Sequence, residues 1–378
     1  MTDRERASAT SDRKFEHLEI AAGGTIESPS GAGWGDIQLV HDCLPEVDRG
    51  AVDLAIWFFG KRLKAPIVIA SMTGGHPRAA EINRRLASAA QRLGIAMGLG
   101  SQRAAIEQPE LMSTYAVARQ AAPDAFLIAN VGAPQLVAQG DRAPLTVGQV
   151  QALVDAVSAD ALAIHLNFLQ EACQPEGDAN ARGCAEAIAQ VSSAITVPVI
   201  AKETGAGMSA ASARRLRELG ARALDVGGYG GSNMAMLEAR RAERQGNQLR
   251  RRLGETFATW GIPTAVSIVE ARSAGLPVIA TGGVRTGLDA AKAINLGAAL
   301  VGVARPALSQ ASVSEEALIE WLEGFIEELR VAAFLTGAND LAGLARRPRR
   351  VFGRTAEWLR SPDTAQDRST NRTIGGQE

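Results

Sequence analysis

Ala161-Leu162-Ala163-Ile164-His165-Leu166-Asn167-Phe168-Leu169-Gln170-Glu171 begins as a strand-sized apolar run and ends polar. In extended backbone successive side chains alternate, so Ala161, Ala163, His165 and Asn167 share one face, and Leu162, Ile164 and Leu166 share the other. The branched face suits packing against helices. The small face, ending in His165 and Asn167, then points toward whatever the sheet encloses, with a satisfied core histidine as the alternative for His165.

Seven similar runs flank this one, at 66–70, 95–99, 125–129, 197–201, 222–226, 276–280 and 299–303. The spacing leaves room each time for a strand, a crossover helix and two loops. Between them, 79–93 carries Ile82, Leu86, Ala89 and Ala90 at helical spacing. Segments 210–219 and 288–296 end at Gly220 and Gly297, as a left-handed residue after a helix requires. Strands apolar on both faces belong to a buried parallel sheet. Eight of them with helices between predict an α/β fold closed into a (β/α)8 TIM barrel, with an open doubly wound sheet as the competitor.

The predicted organisation is an N-terminal extension over 1–65 that contributes to the active-site mouth, a barrel over 66–350 and a mobile C-terminal tail over 351–378. Residues 1–14 and 361–378 are polar and lack the apolar groups needed to offset ordering entropy. The interval after the sixth strand, from 222 to 276, is too long for one crossover and is read as an insertion over the site. Its arginines Arg240, Arg241, Arg244, Arg250, Arg251 and Arg252 are consistent with a solvated helical face.

Charge is balanced, 40 Lys and Arg against 41 Asp and Glu, and aromatics are few, with two Tyr, five Trp and nine Phe. That composition argues against a nucleic-acid partner, which needs a basic footprint or stacking platforms. No apolar run approaches the ~20 residues of a membrane helix and none resembles a signal peptide, so a cytoplasmic protein with no membrane partner is expected. Cys43, Cys173 and Cys184 form no C-x-x-C pair and read as reduced thiols, Cys173 as a buried one.

A barrel carries its chemistry at the carboxyl ends of its strands. All eight exits are polar or glycine-rich: Ser71-Met72-Thr73-Gly74-Gly75, Gly100-Ser101-Gln102-Arg103, Asn130, His165 to Glu171, Lys202-Glu203, Gly227 to Ser232, Thr281-Gly282-Gly283 and Ala304-Arg305. Lys202 shares a face with Ile200 and Pro198 and would reach inward, where an ammonium without a function is costly to desolvate. The glycine pairs after strands six and seven, with Ala304-Arg305, match the phosphate cradle that barrels build from their last loops; ligand-free tight turns are the alternative.

These residues resemble the type 2 isopentenyl diphosphate isomerases, the FMN-dependent family. The likeness runs from Arg13-Lys14-Phe15-Glu16-His17 through His41-Asp42-Cys43-Leu44-Pro45-Glu46, Met72-Thr73-Gly74-Gly75 and Gly100-Ser101-Gln102-Arg103. It continues through His165-Leu166-Asn167, Gln170-Glu171, Pro175-Glu176-Gly177-Asp178, Lys202-Glu203, Gly227 to Gly231, Trp260-Gly261-Ile262-Pro263-Thr264 and Gly282-Gly283. The family interconverts isopentenyl and dimethylallyl diphosphate by adding and removing protons at an alkene, with reduced FMN as an electron-rich partner and NADPH only as its reductant.

The resemblance implies FMN binding by Ser71, Met72, Thr73, Ser101, Asn130, Lys202, Ser232, Gly282, Gly283, Arg285, Ala304 and Arg305, with Lys202 at the pyrimidine edge favouring the anionic reduced ring. It implies that the diphosphate meets Arg13, Lys14, Ser101, Gln102, Arg103, His165 and Asn167, and that Glu171 holds Mg2+ against phosphate oxygens. Gln170 sits by the hydrocarbon end, and Gln170, Lys202 and His165 are the implied catalytic set. A homotetramer or larger homo-oligomer is implied as well. Segment 21–35 departs from the family pattern. An FMN-dependent oxidoreductase of the 2-hydroxy acid oxidase type is the main alternative; it wants a histidine near strand seven, and none follows His165.

Overall fold

The computed structural model describes Glu16, Ile20 and residues 26–361; the basic pair Arg13-Lys14 and the expected polar tails at 1–14 and 361–378, Ser361 excepted, lie outside them. Eight parallel strands close into a barrel: β1 (Ile67–Ile69), β2 (Ala96–Gly98), β3 (Phe126–Gly132), β4 (Ala161–Leu166), β5 (Val199–Glu203), β6 (Ala223–Asp225), β7 (Val278–Thr281) and β8 (Leu300–Val303). Pairing of Val301 with Ile67 closes the ring and rules out the open sheet. The predicted helices are present, and Gly94, Gly220 and Gly297 follow theirs at φ 63°, 94° and 115°.

Alternation builds two cores. Val68, Ala96, Ile128, Ala161, Ala163, Ile200, Ala223, Ile279 and Leu300 fill the barrel, while Leu162 and Ile164 pack in the larger layer between strands and helices. The small Ala161 and Ala163 of β4 share this inner cluster with the larger Phe126. A hairpin of Ile56–Phe58 and Lys61–Leu63 adds Phe58 and Leu63 to the inner cluster, with the Phe58 ring 5.4 Å from Phe126. Phe126 starts β3, so this plug sits at the amino end and leaves the carboxyl end for ligands.

The insertion after β6 folds into helices Met234–Arg244, Gln248–Thr256 and Thr264–Ala271. Asn233 and Asn247 cap the first two, their Oδ1 atoms accepting from Met236 N and Arg250 N at 2.9 and 3.1 Å. The tail boundary drawn at 351 needs correction. Arg349–Val351 pairs antiparallel with Ile37–Leu39, and the Gly353–Arg360 helix follows. Asp36 accepts from Thr355 N and Oγ1 at 2.9 and 2.7 Å, so polar residues that look like tail are ordered by partners far away in sequence. Among the described residues no helix is long and apolar enough to cross a membrane. All three cysteines are free thiols, Cys43 exposed and the other two buried.

Candidate active site

Near the carboxyl end the inward face changes from apolar to polar, placing Asn130, His165, Lys202, Asp225 and Thr281 around the barrel floor. His165 lies opposite Lys202 in the β4–β5 ladder, and Lys202 opposite Asp225 in β5–β6. Asn130 Nδ2 donates to the Leu99 carbonyl at 3.0 Å, which turns its Oδ1 toward His165 Nδ1 at 2.7 Å. A neutral His165 therefore carries its proton on Nδ1. Lys202 Nζ donates to Asp225 Oδ2 at 2.8 Å and to the Glu203 carbonyl at 3.3 Å. Both charged groups are buried, and pairing is what lets the ammonium sit there. Glu203 points the other way, accepting from Gly205, Ala206 and Gly207 N–H at 2.6 to 2.9 Å. Burial pushes its carboxyl up to about 7, although those donors and Lys202 pull it down.

Above the floor opens a cavity of about 320 Å³. It is lined by Ser71, Met72, Thr73, Ser101, Asn130, Lys202, Ser232, Gly282, Gly283, Arg285, Ala304 and Arg305, the whole set expected around FMN. Gly282 and Gly283 adopt φ 128° and 65°, where a side chain would be strained. A Cβ on Gly231 would sit 2.6 Å from Gly283 N, so the sixth and seventh loops meet backbone to backbone. The Arg305–Val313 helix begins beside them with no side-chain cap, leaving first-turn N–H groups for an anion. Arg285 and Arg305 converge there on the Glu27 carboxylate. On the floor, the buried Thr281 hydroxyl finds no partner among the described residues. A phosphate cradle at one pole and an unsatisfied polar atom below fit a flavin nucleotide.

At the other pole stand Arg103, Asn167, Gln170 and Glu171, with His165 between. Asn167 Nδ2 donates to Glu171 Oε1 at 2.8 Å, and the second Glu171 oxygen accepts from Asp178 N at 2.7 Å. The Asn167 Oδ1 atom is buried and has no partner among the described residues. Arg103 is held by Asp178 and Glu107, both at 2.6 Å. Among the described residues no group of three His, Cys, Asp or Glu could hold a metal. Glu171 is the one carboxylate among the described residues lining the cavity, an oxygen ligand of the type a hard cation takes.

Two residues escaped the sequence reading. Gln170 Nε2 donates to Glu238 Oε1 at 2.9 Å, and Glu238 is fully buried. Arg241 donates to Glu238 at 2.7 Å and to Glu16 and Glu176 at 2.9 Å each. Burial alone would lower the Arg241 pKa; the three carboxylates more than offset it and keep the guanidinium charged. The solvated-face reading holds for the exposed Arg240, Arg244 and Arg252, but Arg241 is buried. The missed signal was an acid, Glu238, between the apolar Leu237 and Ala239.

Gln102 is a correction. It is fully buried and does not line the cavity; its Oε1 accepts from Asn130 N at 3.0 Å and its Nε2 donates to Leu153 O at 3.1 Å. Its amide stitches the second loop to β3 from outside the cavity lining. Gln102→Ala should therefore lower stability by about 1–3 kcal/mol, the desolvation penalty of orphaned backbone groups. KM measured on the same preparation should stay close to that of the parent protein.

A family model for FMN-dependent dehydrogenases matches residues 9–350. An isopentenyl-diphosphate delta-isomerase of Methanosarcina barkeri is 47% identical over 353 residues, covering 93% of this chain and 95% of that protein. One from Halobacterium salinarum is 47% identical over 352 residues, covering 93% and 96%. Among solved structures, a Pediococcus acidilactici lactate oxidase superposes with TM-score 0.64 at 16% identity, covering 92% of this chain and 94% of its own. A mandelate oxidase variant gives 0.60 at 21%, covering 93% and 99%. Identities that low speak for the fold alone.

Proposed function

The chain belongs to the isopentenyl-diphosphate delta-isomerases, within the FMN-dependent dehydrogenase family, and from that premise we propose how its residues carry the reaction. The enzyme interconverts isopentenyl and dimethylallyl diphosphate and uses FMN. The oxidase alternative has less support, since the relatives sharing nearly half the sequence are named as isomerases and no histidine follows His165.

One observation carries the assignment of roles: a glycine-rich cradle beside Arg285 and Arg305 and a second polar group of Arg103, His165, Asn167 and Glu171 line a single cavity. The glycine cradle of Gly282, Gly283, Ala304 and Arg305 would take the flavin phosphate, with Ser71, Met72, Thr73, Ser101, Asn130, Ser232 and Arg285 along the cofactor. Reduced FMN supplies an electron-rich ring that can stabilise positive charge at the alkene and exchange protons with it. Arg103, His165 and Asn167 orient the substrate diphosphate, joined by Arg13 and Lys14 from outside the described residues. Glu171 would hold Mg2+ through its carboxylate, and the unsatisfied Asn167 Oδ1 would offer an oxygen beside it; the ion would neutralise charge on the diphosphate. Gln170 faces the hydrocarbon and passes protons toward Glu238; Lys202 supplies positive charge at the floor. NADPH is the reductant that primes the flavin.

The test is anaerobic incubation of the protein with FMN, NADPH, Mg2+ and isopentenyl diphosphate. Dimethylallyl diphosphate should form over many turnovers with no more NADPH consumed than the one equivalent that reduces each flavin; oxidation of NADPH in step with substrate turnover would instead favour the oxidase. Glu171→Gln should weaken Mg2+-dependent diphosphate binding by roughly tenfold or more, the value of one charge-assisted contact, while FMN binding persists. Calorimetric titrations with each ligand separate the two effects, and equal loss of both would contradict the assignment. A cytoplasmic homotetramer or larger assembly completes the proposal. The exposed Trp57, Trp260 and Val313 are compatible with subunit contacts, and light scattering measures the mass.

A further inference from the structure

We propose that Asp225 is a positioning residue for the cofactor: from beneath the cavity it anchors the Lys202 ammonium and aims it at the flavin, and so sets the preference for reduced over oxidised FMN. The inference rests on the reading above, that this cavity holds FMN with Lys202 at its pyrimidine edge.

The geometry is specific. An ammonium has three N–H donors. Two of those on Lys202 go to Asp225 Oδ2 at 2.8 Å and to the Glu203 carbonyl at 3.3 Å, both belonging to the barrel wall. Lys202 lines the cavity and Asp225 does not, so the third donor is the one left for a ligand. Asp225 is itself fixed, on a barrel strand and with Oδ1 accepting from Gly227 N at 3.3 Å. The other groups around Lys202 do not replace it. Glu203 turns its carboxylate onto the N–H groups of the following loop, and His165, the ladder neighbour on the opposite side, has Nδ1 engaged by Asn130. A lone buried ammonium tends to lose its proton, because burial disfavours the charged form, whereas a carboxylate at hydrogen-bond distance restores it. With Asp225 present, the site therefore meets electrons added to the flavin with a preorganised positive charge. Without it, the ammonium loses its shortest anchor and its compensating carboxylate, and that advantage weakens.

The experiment measures dissociation constants for oxidised and anaerobically reduced FMN, with the reduced-flavin absorption spectrum as a second readout. The proteins are the parent, Asp225→Asn, Lys202→Met, the double variant and Asp225→Glu. In Asp225→Asn the preference for reduced FMN should fall by about tenfold, equivalent to roughly −30 mV for a two-electron couple. Lys202→Met should do the same, the double variant should lose nothing further, and Asp225→Glu should recover most of the preference. The double variant buries neither charge, so its comparison with Lys202→Met remains readable even if Asp225→Asn folds poorly. A purely structural ion pair would lower the melting temperature and leave the preference and the spectrum unmoved. That result, or losses that add in the double variant, overturns the inference. Failure of the parent protein to bind FMN in either state would reject the underlying reading and the inference with it.

Discussion

Glutamine in place of Glu238 is expected to yield a folded, flavin-binding protein that forms dimethylallyl diphosphate at least about a hundredfold more slowly, the usual scale of a lost acid–base group. Gln170 lines the cavity, but an amide neither gains nor gives up a proton in the accessible pH range. It can relay a proton only in a concerted step, its Oε1 taking one up as its Nε2 hands one to a neighbouring carboxylate. Its Nε2 donates to Glu238 Oε1 at 2.9 Å, and Glu238 is shut off from solvent, so this carboxylate is the natural reservoir for the alkene end of the site. Glutamine keeps the volume and one acceptor oxygen for Gln170 while removing the ionisable group. Arg241 would still have Glu16 and Glu176, so the fold should hold. The loss should therefore fall on kcat, with KM for isopentenyl diphosphate and affinity for FMN little changed. A kcat within a factor of a few of the parent would remove Glu238 from the proton path.

The contrast between Lys202 and Gln102 shows which site residues were legible in the sequence. Strand geometry imposes a period of two, so once 197–201 is read as a strand, Lys202 must continue the face of Ile200. Asn130 and His165 follow from their strands in the same way. Gln102 lies in the same motif as Ser101 and Arg103, but in a turn before a helix, where no period dictates direction, and its amide is taken by the backbone of Asn130 and Leu153. The barrel was readable because each strand repeats one local pattern. The Glu238 network was not, because its contacts to Gln170, Glu176 and Glu16 span 68, 65 and 225 residues of sequence. Likewise 353–360 looks like tail until Asp36, 319 residues away, is seen to hold Thr355.

Arg241→Met should be the most destabilising single change in this region. Arg241 is 3% exposed and Glu238 0%, so truncation leaves a carboxylate that water cannot reach. Breaking a buried pair by removing one partner costs about 3–5 kcal/mol. For a chain of this length, that corresponds to a melting temperature lower by roughly 4–6 °C. Glu16 and Glu176, at 23% and 45% exposure, can be rehydrated and should contribute little to the loss. The distinction is testable in the double variant Glu238→Gln with Arg241→Met, which buries neither of these two charges. It should regain most of the lost stability in a thermal melt yet remain as slow as Glu238→Gln alone. If stability stays low, the penalty arises from Glu16 and Glu176, and Arg241 acts mainly by tying the N-terminal segment and the 174–178 loop to the insertion helix. If activity returns together with stability, the Glu238 carboxylate supports the fold and the protons at the alkene travel by another route.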